Sequence, residues 1–130
     1  MTTFGLVIRV ALLGAVTFPA GVLGAQQVVA SDSARQAQGR KLFESKGLCF
    51  SCHGRAGEGL LGPTTRLAGR QLTHSKGSVA EIATIIRSGI PEEKSASGQV
   101  MPPKGGSRLT DAEVELVAEY VKRMNDPKKN

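Results

Sequence analysis

The 130-residue sequence predicts an all-α domain of three or four helices. Three segments carry apolar residues at three- and four-residue steps, the period of a helix with one buried face. No segment sustains the two-residue alternation of a half-buried strand. Two of the three segments also begin with a capping box, in which side chains satisfy the free amides at a helix start. The length is that of one domain.

The first helix is predicted over about 33–46. Three capping residues lie at its start: Ser31, Asp32 and Ser33. Its apolar members are Ala34, Ala37, Leu42 and Phe43. Gly39 lies in its middle, where glycine costs up to about 1 kcal/mol relative to alanine. This position predicts that another backbone segment passes close to Gly39, and Gly47 is expected to end the helix.

The second helix is predicted over about 79–88 and the third over about 111–125. Their capping boxes pair Ser78 with Glu81 and Thr110 with Glu113. The buried stripe of the second helix is Val79, Ile82, Ile85 and Ile86. That of the third is Val114, Val117, Ala118, Val121 and Met124. The Gly- and Pro-rich stretches between the helices are long for a small domain, so they need a function or a scaffold.

Residues 1–25 have the features of a secretory signal peptide. One basic residue, Arg9, precedes an uncharged apolar run over 10–18, and Pro19 follows it. Cleavage is expected after Ala25 or Ala30. The alternative is an uncleaved membrane anchor, for which the apolar run is short. These boundaries leave three further parts: a flexible N-terminal segment over 26–33, the domain over 34–126 and a basic tail over 127–130.

Cys49-Phe50-Ser51-Cys52-His53 is the strongest chemical motif, because C-x-x-C-H is typical of c-type haem attachment. Each thiol can form a thioether with one vinyl group of the same porphyrin, and His53 then lies under the iron as an axial ligand. These are the only two cysteines in the chain. Three alternatives are a structural disulfide, a dithiol redox centre and a zinc site.

Met101 is the favoured second axial ligand, because a loop thioether followed by Pro102 and Pro103 gives a stiff support for a weak ligand. His74 is a rival, which would make a bis-histidine site, and Met124 is expected to pack in the core. A haem-ligating histidine donates its other ring N–H to an oxygen acceptor. The carbonyl of Pro63 is one candidate acceptor for His53, and a proline that only stiffens a turn is the alternative.

The composition fits a bound porphyrin. The chain has no Trp and one Tyr, and only Phe43 and Phe50 remain outside the presequence, so the core is short of large apolar side chains. The formal charge of +6 comes from scattered basic residues without interleaved aromatics, which argues against nucleic acid. We interpret it as steering towards an acidic protein partner, or as serving solubility alone.

In this order of motifs the sequence resembles the class I cytochrome c family over about residues 34–125. The matching residues are Gly39 and Phe43, the Cys49–His53 motif, Gly62-Pro63, Met101-Pro102-Pro103, and Leu109-Thr110-Asp111 through Tyr120. The resemblance implies helices wrapped around one haem c, with the first and last helices crossing where Gly39 and the aromatic residues meet. One departure is the loop before Met101, which lacks the Trp or Tyr that the family often places at the haem edge.

The expected function is single-electron transfer, not enzymatic catalysis: with His53 and Met101 both bound, iron has no open position for a substrate. Lys46, Arg55 and Lys104 are candidates for a basic rim that meets redox partners with an acidic docking face. Haem-attachment machinery is a further expected partner, and the periplasm the expected location, with the protein soluble or loosely membrane-associated. Two alternatives are a haem subunit of a larger dehydrogenase or oxidase, and a gas sensor or peroxidase-like protein if Met101 is not a stable ligand.

Overall fold

The computed structural model describes residues 21–126, so most of the predicted signal peptide and the basic tail lie outside the described residues. The described part contains four α-helices: α1 (Gly21–Glu44), α2 (Phe50–His53), α3 (Val79–Ser88) and α4 (Asp111–Asn125). Three single turns of 3-10 helix lie between them, at Pro63–Thr65, Glu92–Lys94 and Pro103–Gly106. Within residues 21–126 the only strand-like pairing is the bridge between Ile90 and Met101. The all-α prediction is confirmed.

The first helix differs from its prediction at both ends. It starts at Gly21, so the segment 26–33, expected to be flexible, lies within α1. The capping residues around Ser33 do not start a helix here, because the preceding residues are already helical. The helix ends at Glu44, two residues early, and the Gly47 amide then donates to the Leu42 carbonyl at 2.8 Å. No helix within residues 21–126 is long and apolar enough to cross a membrane.

The other two predicted helices have the expected bounds. Ser78 and Thr110 each accept a hydrogen bond from the amide three residues on, and Glu81 and Glu113 bond back to the capping amides. Both capping boxes are therefore complete. These local contacts satisfy amides that have no partner within the helix, which explains why the sequence located these helix starts so well.

The core lies where α4 packs against α1 on one side and α3 on the other. Its largest fully buried side chains are Phe43, Val114 and Val117. Ile82 and Ile86 of α3 and Leu109, just before α4, complete the cluster together with the remaining apolar side chains of α4. Met124 is 6% exposed within it, as its helical position predicted.

Gly39 is buried where α1 meets α4. A Cβ atom at Gly39 would overlap the backbone oxygen of Leu116 and lie 2.9 Å from the Cβ of Tyr120. Next to it, the Phe43 and Tyr120 rings meet edge-to-face, with centroids 5.5 Å apart. The glycine thus permits the backbone approach that both its helical position and the family resemblance predicted.

Candidate haem-binding cavity

A largely apolar cavity of about 200 Å³ opens beside the core. One wall comes from α2 and the loop after it, and the opposite wall from α3 and the segment around Met101. Phe43, Val117 and Val121 form part of its floor. A concave apolar site with a few polar groups is the usual setting of a cofactor.

The short helix α2 presents the Cys-x-x-Cys-His motif to this cavity. Residues three apart in a helical turn lie on the same side, so Cys49 and Cys52 both line the cavity, followed by His53. The turn is closed by the His53 amide, which donates to the Cys49 carbonyl at 3.0 Å. Both cysteines are half-buried free thiols. One short helix and the residue before it therefore place Cys49, Cys52 and His53 at the same cavity.

Burial raises the pKa of the Cys49 thiol to about 11. The dithiol redox centres that were one alternative need a cysteine whose pKa is lowered, because the thiolate is the attacking species. Cys49 has the opposite environment. The zinc alternative also lacks support: the residues that the structure describes contain no cluster of three or more His, Cys, Asp or Glu able to hold a metal ion.

One ring nitrogen of His53 is hydrogen-bonded to the protein backbone. Its Nδ1 lies 2.7 Å from the backbone oxygen of Thr65, and a carbonyl can only accept, so Nδ1 carries the proton. Burial lowers the pKa of His53, although the Thr65 bond opposes the shift. A neutral ring protonated at Nδ1 keeps its lone pair at Nε2, the form that binds a metal.

The carbonyl of Pro63 was one candidate acceptor for His53, and in this structure the Thr65 carbonyl accepts the bond instead. Pro63 is the first residue of a 3-10 turn, and its carbonyl accepts from the Arg66 amide at 3.3 Å and from Nη1 of Arg70 at 2.5 Å. Thr65 ends the same turn, and its carbonyl faces the histidine. Proline spacing alone could not distinguish two carbonyls within one turn.

Met101 lines the same cavity as His53 and is half-buried. Its amide and carbonyl pair with Ile90 at 2.9 and 2.8 Å. Gly89 lies directly against this pair, because a Cβ there would overlap the Met101 carbonyl oxygen. The rival residue His74 also lines the cavity, and its Nε2 accepts from the Ala96 amide at 3.4 Å. Met124 is not among the lining residues.

Residues 34–121, more than half of the chain, match the family model described as cytochrome c oxidase, cbb3-type, subunit III. The chain belongs to this family of c-type cytochromes. The suspected resemblance is thereby confirmed, and membership implies covalently bound haem c and a role in electron transfer with redox partners. No match was found among curated proteins, and none among solved structures.

Several residues that line the cavity of this cytochrome were not predicted to do so from the sequence. Leu67 and Leu72 line the cavity from the polar loop after α2, and four isoleucines line it from the other side: Ile82, Ile85, Ile86 and Ile90. The apolar stripe of α3 was predicted to be buried in the core, and its residues both pack against the core and line the cavity. The edge without a Trp or Tyr is lined instead by polar side chains, among them Arg66, Ser97 and Gln99.

The three cations expected to form a basic rim all pair with carboxylates. Lys46 lies 2.6 Å from Glu113, Arg55 lies 3.5 Å from Glu44, and Lys104 lies 3.1 Å from Asp111. Arg55 also stacks over the Phe50 ring at 4.8 Å. Exposed ion pairs are screened by water, yet each partner reduces the field that its cation projects into solvent.

Proposed function

We propose that this cytochrome carries single electrons through one haem c, attached at Cys49 and Cys52 and axially ligated by His53 and Met101. The observation that supports this most directly is that all four side chains line a single apolar cavity. His53 and Met101 come from segments far apart in the chain, and neither would need to face this cavity for packing alone.

The residues of the cavity fit such a group. Two free thiols, a neutral imidazole with Nε2 available and a thioether are the donors that a c-type site with histidine and methionine ligands requires. The surrounding leucines and isoleucines supply apolar contact for a macrocycle. Haem, when bound, supplies a one-electron iron couple.

The protein's own task is to hold both ligands and exclude water. The Thr65 carbonyl orients His53, and the backbone pair with Ile90 fixes Met101. Stable ligands in both oxidation states limit rearrangement on electron transfer, and the thioether favours the reduced state. The isoleucines of α3 keep the cavity apolar, which further tunes the potential.

Export to the periplasm through the N-terminal signal peptide is part of the proposal, because haem attachment requires dedicated machinery and c-type cytochromes are typically exported. The partners would be redox proteins with an acidic docking face. The net charge of +6 supports long-range steering, although Lys46, Arg55 and Lys104 are internally paired. The affinity for an acidic partner should therefore fall with salt less steeply than it would if these three cations were unpaired.

A second candidate is a permanent haem subunit of an oxidase, the role named in the description of the matching family. Large apolar side chains are exposed beside the cavity mouth: Leu48, Leu61 and Val100, with Leu60 next to them. Exposed apolar clusters are typical of protein contact sites. Gel filtration of a native extract distinguishes the two: a free carrier elutes at the mass of the processed chain alone, and a subunit elutes with its complex.

Absorption spectra of the exported protein test the main proposal. We expect a low-spin spectrum, a sulfur-to-iron charge-transfer band when oxidised, and little reaction of the reduced form with carbon monoxide. Mass spectrometry should find one haem per chain and no alkylatable thiol. A high-spin spectrum with rapid carbon monoxide binding would instead favour a gas sensor or peroxidase-like protein, and a chain without covalent haem would overturn the proposal.

A further inference from the structure

Within residues 31–126, two residues other than glycine have positive φ angles: Leu48 at 56° and Lys104 at 54°. Leu48 immediately precedes Cys49, and Lys104 follows Met101 by three residues. The left-handed region is unfavourable for residues with a Cβ, so it persists only where surrounding contacts hold it. The contacts of Lys104 therefore identify the parts of the protein that hold it in this conformation.

The side chain of Lys104 joins its turn to the start of α4. Its Nζ donates to the Leu109 carbonyl at 2.9 Å and lies 3.1 Å from Oδ1 of Asp111. Asp111 is largely exposed, so water screens the ion pair. The bond to the Leu109 carbonyl is better protected, because Leu109 is 2% exposed in the core. Lys104 thus anchors an irregular turn to the start of α4, beside the buried core.

The same turn contacts the segment that carries the thiols. A Cβ at Gly105 would lie 2.8 Å from the backbone oxygen of Gly47, two residues before Cys49. On its other side, the turn continues from Met101, which is paired with Ile90. The stretch from Met101 to Lys104 is therefore held at one end by the backbone pair with Ile90 and at the other by the side-chain contacts of Lys104.

We propose that Lys104 is a positioning residue for Met101, which keeps the methionine on iron by anchoring the segment that follows it. The proposal rests on the His53/Met101 ligation proposed above. Without the Lys104 contacts, the turn over 102–107 loses its link to Leu109 and Asp111. Met101 would then leave the iron more often, and external ligands would reach it faster.

The test compares two lysines that each pair with a carboxylate in the first turn of α4. Lys104 pairs with Asp111 near Met101, and Lys46 pairs with Glu113 on the α1 side. Leucine at either position removes the charge without adding an iron ligand. In the reduced haem-loaded protein, we expect carbon monoxide to bind about tenfold faster in Lys104→Leu, because losing a hydrogen bond from a charged donor has effects of this size. Lys46→Leu should stay within about twofold of the wild type.

A second variant separates positioning from general stability. Lys104→Gly relieves the positive φ angle but removes the same contacts, so we expect its Tm to fall less than that of Lys104→Leu while carbon monoxide binds as fast as in Lys104→Leu. Wild-type rates in Lys104→Gly, or equal rates in Lys104→Leu and Lys46→Leu, would overturn the proposal while leaving the ligation intact. If the wild type itself lacks the sulfur-to-iron band, the Met101 ligation fails, and this proposal fails with it.

Discussion

His53 donates from Nδ1 to the backbone oxygen of Thr65 across 2.7 Å. The bond selects the tautomer of the ring and fixes its plane. Because a backbone carbonyl supplies the acceptor, no side-chain substitution at position 65 removes it directly. The orientation of the imidazole therefore depends on the path of the 3-10 turn that contains both Pro63 and Thr65.

Pro63→Ala should leave the ligation of His53 intact, because the variant keeps every backbone carbonyl of the turn, including the Thr65 carbonyl that accepts the His53 bond. The expected cost is a loss of stability of less than about 1 kcal/mol, from the greater freedom of the unfolded chain. Urea unfolding measures the stability, and a redox titration measures the potential. An altered potential or a five-coordinate spectrum in Pro63→Ala would show that the orientation of His53 depends on the proline ring that stiffens this turn.

Met101→Ala should abolish the sulfur-to-iron band, lower the reduction potential and allow rapid carbon monoxide binding. The physical reason is that a thioether stabilises ferrous iron, and its removal opens an axial position. Met124→Leu is the matched control, since Met124 is buried in the core and does not line the cavity. Persistence of the band in Met101→Ala would transfer the ligand role to another residue. A bis-histidine spectrum in the wild type would identify that residue as His74.

Gly39→Ala should destabilise the fold by roughly 1–3 kcal/mol, the usual cost of overpacking. In an exposed helix the same change would stabilise by about 1 kcal/mol, so the sign of the effect is diagnostic. The obstacle is the Leu116 backbone oxygen, which cannot rotate away as a side chain would. Thermal unfolding measures the change, with Gln38→Ala on the exposed face as control. A stabilised Gly39→Ala would contradict the close approach of α1 and α4.

Acidification should weaken the fold through the carboxylates at the start of α4. The hydrogen bond from Lys46, followed by that from the Thr110 amide, lowers the pKa of Glu113, and Lys104 lowers the pKa of Asp111. A lowered carboxyl pKa stabilises the folded state above the unfolded pKa of about 4, and this contribution is lost as the pH falls through the folded value.

Urea midpoints between about pH 6 and pH 3 measure this dependence. Lys46→Leu removes the largest cause of the Glu113 shift, so its midpoint should fall less steeply with acid than that of the wild type. If the urea midpoints of the two proteins fell in parallel with pH, the ion pair would not contribute to the acid dependence of stability. The difference between variants matters here, because protonation of other carboxylates and of His53 affects both proteins equally.

The sequence predicted the helices that local contacts define. The capping boxes at Ser78 and Thr110 located both starts, because the capping side chains and their amides lie within four residues of each other. The start of α1 was misplaced, since candidate capping residues such as Ser33 cap a helix only where the preceding chain is not already helical. Helix α2 was not predicted, because four residues are too few for a periodic pattern.

The candidate site was predictable where chemistry requires fixed spacing, as in Cys49, Cys52 and His53. The site was not predictable where the path of the backbone determines which groups meet. The carbonyl of Thr65, and not that of Pro63, accepts the hydrogen bond from His53 because of the orientation of one turn of 3-10 helix. The pairing of Lys46, Arg55 and Lys104 with acids also depends on which helices meet, so residue types alone suggested free cations.

The close approach of Gly39 to Leu116 holds together α1 and α4, which lie at opposite ends of the domain's sequence. The chain between these two helices is therefore a long loop whose ends are in contact. A break in the exposed stretch around Glu92–Lys94 would leave one fragment with both thiols and His53 and another with Met101 and α4. The two proposed axial ligands thus belong to separable pieces, and their joint presence on one iron would report that the pieces have reassembled.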